Sequence, residues 1–295
     1  MLSLCIPVFN TPVHALVHAL VQQLRNSGVE WEIVVADDGS TDEDVRTTND
    51  LLHNIPDVRY LLWATNKGRS ATRNFLAANA RHPWLIFLDA DGELIDDYFI
   101  KKYLIAIGSE NIVLAGGRVC GPKPAPCNKQ LHWTYCTQRE RADGNIGFAS
   151  NNFCIAKKLM VRLPFASDLL GWGHEDTDAG LQWKQQGVIL RHIQNPILHQ
   201  HLEDATVFIE KSEQAVVNLL KLEQRWEPKA LAEEVKLYHW YLKIKQWKLN
   251  SVVHFFWRCS KETIIRQLSG CSPSLKLFDF YRLGYLLSLK GKCCW

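Results

Sequence analysis

Apolar positions near the start of the chain come in short unbroken runs, LSLCIPV, WEIVVA, VRYLLW and WLIFLD, and the stretches between them carry apolar residues at helical spacing. Unbroken runs of this length predict strands buried on both faces, and their alternation with helices predicts an α/β fold built on a mostly parallel central sheet. The first helix is expected within TPVHALVHALVQQLRNSG, with Thr11 placed to cap it, Pro12 at its first position and Gly28 beyond its end. Further helices are expected across 42–53 and 70–80. In GWGHEDTDAGLQWKQQG, Gly171 and Gly173 allow a tight loop; Glu175, Asp176 and Asp178 open a helix that Gly187 can end.

Three of the predicted strands run directly into polar residues. IPVFN ends the first, VVADDGSTD the second and FLDAD the fourth, so a parallel sheet would bring Asn10, Asp37, Asp38, Asp89 and Asp91 to one rim. Ligands of open α/β sheets bind at that rim, outside the carboxyl ends of the strands. Each motif alone is also ordinary turn chemistry, since Asp-Asp-Gly-Ser caps turns well. Several carboxylates on one edge repel each other unless a cation joins them.

Composition narrows the class. At 295 residues, 47% hydrophobic and 22% charged, the chain can bury a sizeable core and is not read as disordered. No basic and apolar leader opens it and no run of about 18 apolar residues occurs, so an uncleaved cytoplasmic chain without a spanning helix is expected. The nine cysteines include no C-x-x-C pair, and the spacing of Cys120, Cys127 and Cys136 fits no common zinc site; reduced, structural thiols are expected. The net charge of +3 conceals an asymmetry, because residues 226–295 hold 12 Lys/Arg against 5 Asp/Glu, which leaves 22 against 26 in the rest.

Taken together, IPVFN, VVADDGSTD, NKGRSATRN, FLDAD and GWGHEDTDAGLQW resemble, in order and rough spacing, the motifs of the inverting family 2 glycosyltransferases. The resemblance covers roughly residues 1–225. It implies a GT-A nucleotide-sugar-binding fold there, followed by a basic, aromatic, α-helical C-terminal extension over 226–295. The D-x-D pair, Asp89 and Asp91, is similar to the family motif that holds Mn²⁺ or Mg²⁺ against the diphosphate of a nucleotide sugar, with Asp91 the direct ligand and His199, in NPILHQH, completing the coordination; His201 is the reserve. Carboxylate oxygens suit these hard ions, and an imidazole suits Mn²⁺. Asp38 matches the position that hydrogen-bonds the nucleotide base, within a wall of Pro7, Val8 and Asn10. Arg69 matches a basic residue near the diphosphate or base, with Lys67 and Arg73 as second choices. Asp176 matches the catalytic base, which takes the acceptor hydroxyl's proton as that oxygen attacks. Glu175 would orient the acceptor, Trp172 could stack on a sugar, and Asn151 and Asn152 are further donor-side candidates.

The implied activity is transfer of a sugar, with inversion, from a nucleotide sugar, a UDP-sugar being expected, to a glycan or lipid-linked acceptor in cell-surface polysaccharide synthesis. A nucleotidyltransferase is the alternative enzyme, but IPVFNTP lacks the Gly-rich basic phosphate loop such enzymes place after the first strand. A non-catalytic nucleotide-sugar-binding protein would need no base at Asp176. Residues 226–295 hold 13 of the 31 aromatic residues beside their excess of cations. That mixture suits peripheral contact with an anionic membrane, through Trp240, Trp247, Phe255, Phe256 and Trp257, or packing on the catalytic domain; no nucleic-acid-binding motif is present.

Overall fold

In the computed structural model the described residues are 1–124, 126–140, 147–199 and 201–292, with the side chain of Lys292 excepted. Two compact units are present. The first comprises Met1–Gly121, Glu140–Asp168 and Asp178–His201, and the second Pro122–Arg139, Leu169–Thr177 and Leu202–Trp295.

The first unit opens as the apolar pattern predicts: β1 (Leu2–Val8), α1 (His14–Arg25), β2 (Trp31–Asp37), α2 (Glu43–Asp50), β3 (Val58–Leu62), α3 (Arg69–Asn79) and β4 (Trp84–Leu88). It continues through β5 (Gly92–Leu94), α4 (Phe99–Ala106), β6 (Ile112–Ala115) and β7 (Arg118–Cys120). After α5 (Gln130–Arg139), which lies in the second unit, come β8 (Asn152–Ala156), α6 (Lys157–Arg162), α7 (Glu175–Gln185), β9 (Ile189–His192) and β10 (Ile197–His199). The main sheet has seven strands in the order β3-β2-β1-β4-β8-β6-β9. β1 is parallel to β2 and β4, and β2 to β3, whereas β8 runs antiparallel to both β4 and β6. One face buries Leu2, Leu4, Ile6 and Val8 of β1 with Val17, Leu20 and Leu24 of α1; the other buries Cys5, Val34 and Phe87 with Leu76 of α3 and Trp183 of α7. The alternation along β1 explains the unbroken apolar run: each face has its own layer of helices to meet. A second, three-stranded sheet, β5-β10-β7, was not expected.

The start of α1 departs from expectation. The hydroxyl of Thr11 donates to the Phe9 carbonyl instead of capping, and Pro12 lies outside the helix, whose first residue is His14. The Val13 amide donates to Oδ1 of Asn49, a buried residue of α2, at 2.9 Å. That partner lies 36 residues ahead, beyond the reach of any local rule. In α2 the local rule does hold, since Asp42 accepts from the amides of Asp44 and Val45.

The second unit is helical, with α5, α8 (Ala205–Glu223), α9 (Pro228–Glu234), α10 (Lys236–Gln246), α11 (Asn250–Leu268) and α12 (Leu275–Lys292). Its core joins Leu131, Phe208, Ile209, Trp257, Ile264, Leu268, Phe278 and Tyr281. Trp257 is therefore a core residue and not one of the exposed aromatics. It packs on Gly284, where an added Cβ would sit 2.0 Å from the indole. Nor are all the cysteines reduced: Cys127 and Cys271, 144 residues apart, form a disulfide within this unit. Cys5 and Cys154 do follow expectation as buried thiols, held well above the ordinary range by desolvation.

Candidate active site

Parallel pairing of β1 with β2 and β4 brings three carboxyl ends together, and β1 and β2 stay in register to Val8 opposite Asp37. At the first two ends the side chains hold the loops. Asp37, buried, accepts from the Ser40 amide at 2.7 Å and the Tyr60 hydroxyl at 2.6 Å, so it is a structural anchor of the Asp-Asp-Gly-Ser turn. Asn10, at a φ of 48°, accepts from the amides of Thr41 and Asp42 and thereby ties β1's end to the same turn. Gly39, with a φ of +74°, passes so near Thr65 that a Cβ would lie 2.6 Å from its backbone.

Asp38 stands on this wall with Pro7 half-buried and Val8 buried beside it in sequence order on β1; its own amide donates to the Val8 carbonyl. Its carboxylate accepts from the amides of Lys67 and Gly68, at 2.6 and 2.9 Å. Desolvation pushes the Asp38 carboxyl above the usual range, with those two amides pulling the other way. The loop it holds leads directly into α3, whose first residue is Arg69, half-buried.

The D-x-D turn is assembled from further away. Asp89 follows β4 and accepts from Nη2 of Arg73 at 2.8 Å; the Arg73 side chain is only 1% exposed and also stacks over Phe165. Arg73 is thus a buried partner of the motif and not a solvated helix charge. Asp91 precedes β5, which pairs antiparallel with β10 so that Gly92 faces His199. This register sets Nδ1 of the buried His199 3.2 Å from Oδ2 of Asp91. On the far side of β10, β7 carries Arg118, which is paired with Glu140 and is drawn on electrostatically by Asp89 and Asp91. Burial pushes Asp91 up, but His199 and then Arg118 outweigh it, leaving its carboxyl below the ordinary range. His201 is exposed.

Arg118 was not singled out from sequence, because RVC is too short and featureless to be read as a strand. Asn152 turns out to be structural: it accepts from Tyr103 and donates to the carbonyls of Gly117 and Asn195. Asn151 differs, since its buried Oδ1 finds no hydrogen-bond partner among the described residues, while its carbonyl accepts the Asp89 amide.

Trp172, Glu175 and Asp176 belong to the second unit. The loop before α7 takes left-handed backbone at Gly171, Gly173 and His174, with φ of 78°, 90° and 69°. Asn218 of α8 donates to the carbonyls of Leu170 and Gly173 and holds it in place. At the helix start Glu175 is buried, while Asp176 is partly exposed and accepts from the Thr177 amide at 2.7 Å. Lys211 sits over the Trp172 ring at 4.3 Å, so that face already has a cation on it.

Among the described residues no three His, Cys, Asp or Glu side chains converge as a metal cage. A carboxylate and an imidazole at contact distance do fit a divalent ion that takes its remaining ligands from substrate and water, which is how Mg²⁺ and its like are commonly held beside phosphates.

Residues 3–169 match the sequence profile of glycosyl transferase family 2. The chain belongs to that family. An uncharacterized glycosyltransferase of Haemophilus influenzae is 27% identical over 117 residues, which is 40% of this chain and 46% of that relative. Of solved structures, the mannosyltransferase PcManGT from Pyrobaculum calidifontis, in complex with GDP-Man and Mn²⁺, is similar with a TM-score of 0.55 at 12% identity, over 99% of this chain and 87% of the other. GalNAc-T7 with UDP, GalNAc and Mn²⁺ gives 0.53 at 19% identity, over 69% and 43%. TarS 1-349 of S. aureus gives 0.50 at 17%, over 98% and 91%. These likenesses establish the fold: this family 2 chain has the GT-A architecture, with its seven-stranded sheet between helices and further helices after it.

Proposed function

We propose that this family 2 chain is a metal-dependent inverting glycosyltransferase that takes a hexose from a nucleoside diphosphate sugar, a UDP-sugar being the expected donor, and places it on a glycan or lipid-linked acceptor in cell-surface polysaccharide synthesis. The observation that carries the reading is the approach of His199 to Asp91 across β5 and β10, beside Asp89 and a buried Arg73. The antiparallel register of β5 and β10 holds a hard oxygen and an imidazole against each other just after the carboxyl end of β4, where ligands of open α/β sheets bind. Complexes of PcManGT with GDP-Man and Mn²⁺, and of GalNAc-T7 with UDP and Mn²⁺, support the donor class and the use of a divalent ion.

In this reading Asp91 and His199 hold Mn²⁺ or Mg²⁺, and the ion when bound supplies neutralisation of the charge gathering on the leaving diphosphate. Asp38 accepts from the nucleotide base with the lone pairs its two backbone amides leave open, against Pro7, Val8 and Asn10. Arg69 faces the diphosphate, and Asn151, whose buried side-chain Oδ1 is still to be satisfied, meets the donor sugar. Asp176 takes the acceptor hydroxyl's proton while Glu175 and Trp172 orient the acceptor.

The test is a transfer assay over a panel of nucleotide sugars with and without Mn²⁺. Wild-type protein should transfer from one of them only with the ion present. Asp176→Asn should retain donor binding and lose roughly 10² or more in turnover. Full activity in excess chelator would overturn the metal assignment, and near-normal turnover of Asp176→Asn would overturn the base.

A further inference from the structure

The second unit carries an apolar, cationic surface that its own core does not use. α10 turns its Tyr238, Tyr241 and Ile244 inward, and α11 its Trp257, Ile264 and Leu268. On the outside remain Trp240, Trp247, Leu249, Val252, Phe255 and Phe256, each at least 40% exposed and the two phenylalanines 61%. Their order in the chain is compact. Trp240 and Trp247 lie on α10 and just past its end, Leu249 in the turn, and Val252, Phe255 and Phe256 at i, i+3 and i+4 on the first turns of α11. Residues three and four apart share one face of a helix, so the last three form a single apolar strip beside the turn. Six large apolar side chains around one helical corner are more than the scattered exposed residues an ordinary surface carries.

Along the chain, the segment that forms this corner carries charge of one sign. From residue 235 to residue 261 there are six cations, Lys236, Lys243, Lys245, Lys248, Arg258 and Lys261, and no Asp or Glu. Lys243 lies over the Trp240 ring at 5.0 Å, in the pairing that aromatic and cationic side chains adopt where one part enters an apolar phase and the other stays at its boundary. An aqueous partner that is itself folded and neutral would gain little from such a field, whereas an anionic lipid surface matches both features: headgroups meet the cations and acyl chains take the rings. No helix in the described residues is long and apolar enough to cross a membrane, so the arrangement suits lying on a bilayer and not spanning it.

We infer that the α10–α11 corner is a docking surface for an anionic lipid bilayer, with Trp247, Leu249, Phe255 and Phe256 entering the interface and Lys245, Lys248 and Arg258 set against the headgroups. The inference rests on this surface alone and holds whichever sugar is transferred. The experiment uses the full chain, sedimented with vesicles of phosphatidylcholine alone or with about a third phosphatidylglycerol, at low and high salt. Binding should require the anionic lipid and weaken with salt. Lys245→Glu, Lys248→Glu and Arg258→Glu together should lower the partition coefficient about tenfold or more, since each cation near the surface counts severalfold. Trp247→Ser, Phe255→Ser and Phe256→Ser together should lower it at every salt concentration, because salt does not screen apolar insertion. All six positions are exposed, and unchanged thermal unfolding of both variants would show that they fold. The inference falls if the wild type stays in solution with both vesicles or if both variants sediment as it does. It falls equally if the serine variant converts a dimer to a monomer in light scattering while vesicle binding persists, or if the protein binds a single-stranded oligonucleotide and ignores the vesicles.

Discussion

Asp89 and Asp91 belong to one short motif, yet their surroundings assign them different work. Asp89 is an ion-pair partner of a guanidinium that is 1% exposed, and removing a charge that faces a buried one is costly. Asp91 faces an imidazole and not a fixed guanidinium charge, and it is a third exposed. Replacing Asp89 by Asn should therefore lower the unfolding free energy by about 2 kcal/mol, less than the full price of a buried pair because water reaches the carboxylate and Phe165 still covers Arg73. Asp91→Asn should cost clearly less stability and remove the response to Mn²⁺. Urea unfolding of both variants, read beside donor-induced thermal shifts with and without the ion, separates the two. Equal losses of stability would mean that Arg73 does not depend on Asp89.

At the scale of elements, the strands and helices legible from the chain were those with enough residues to show a period. β1, β2, β3 and β4 and the helices between them declare themselves by unbroken apolar runs and amphipathic spacing, and three polar strand ends, two of them acidic, followed from them. What could not be read were β5 and β7, three residues each and too short for any period to form, and with them the pairing that joins both to β10. Those strands bring His199 to Asp91 and place Arg118 beside them, so the candidate metal pair could be named from resemblance but its geometry came from long-range pairing. The beginning of α1 failed for the same reason. Thr11 and Pro12 satisfy a local rule, but Asn49 satisfies the Val13 amide and accompanies it with a bond from its Nδ2 to the Thr11 carbonyl. Asn49→Ala should consequently destabilise the protein by about 1–2 kcal/mol, the usual cost of a lost cap, more so because the site is buried. Thr11→Ala should cost a few tenths at most, since its hydroxyl makes one exposed bond. If the two variants unfold alike, the cap has been misassigned.

For the molecule as a whole, the most direct global reading of a local environment is stability against pH. His174, in left-handed backbone just before α7, has its imidazole pushed down to about 4 from an ordinary 6.5, by desolvation first and by Arg282 in the same direction, with Glu175 opposing. A histidine whose folded pKa is depressed binds its proton more readily when unfolded. Its contribution to stability is therefore complete above 6.5 and is lost as the pH falls towards 4. Asp38 runs the other way, because a raised carboxyl favours the folded state on the acid side, but its effect sets in only as carboxylates begin to protonate. Between pH 7 and pH 5 the histidine should dominate and lower the unfolding free energy by about 1 kcal/mol, allowing for solvent at a half-buried ring. His174→Asn removes the titration while keeping a residue that tolerates positive φ. Chemical denaturation of the wild type at the two pH values should show the loss, and the asparagine variant should show a smaller one. A wild-type slope that survives the substitution undiminished would move the acid sensitivity to other groups and leave His174 as an ordinary loop residue.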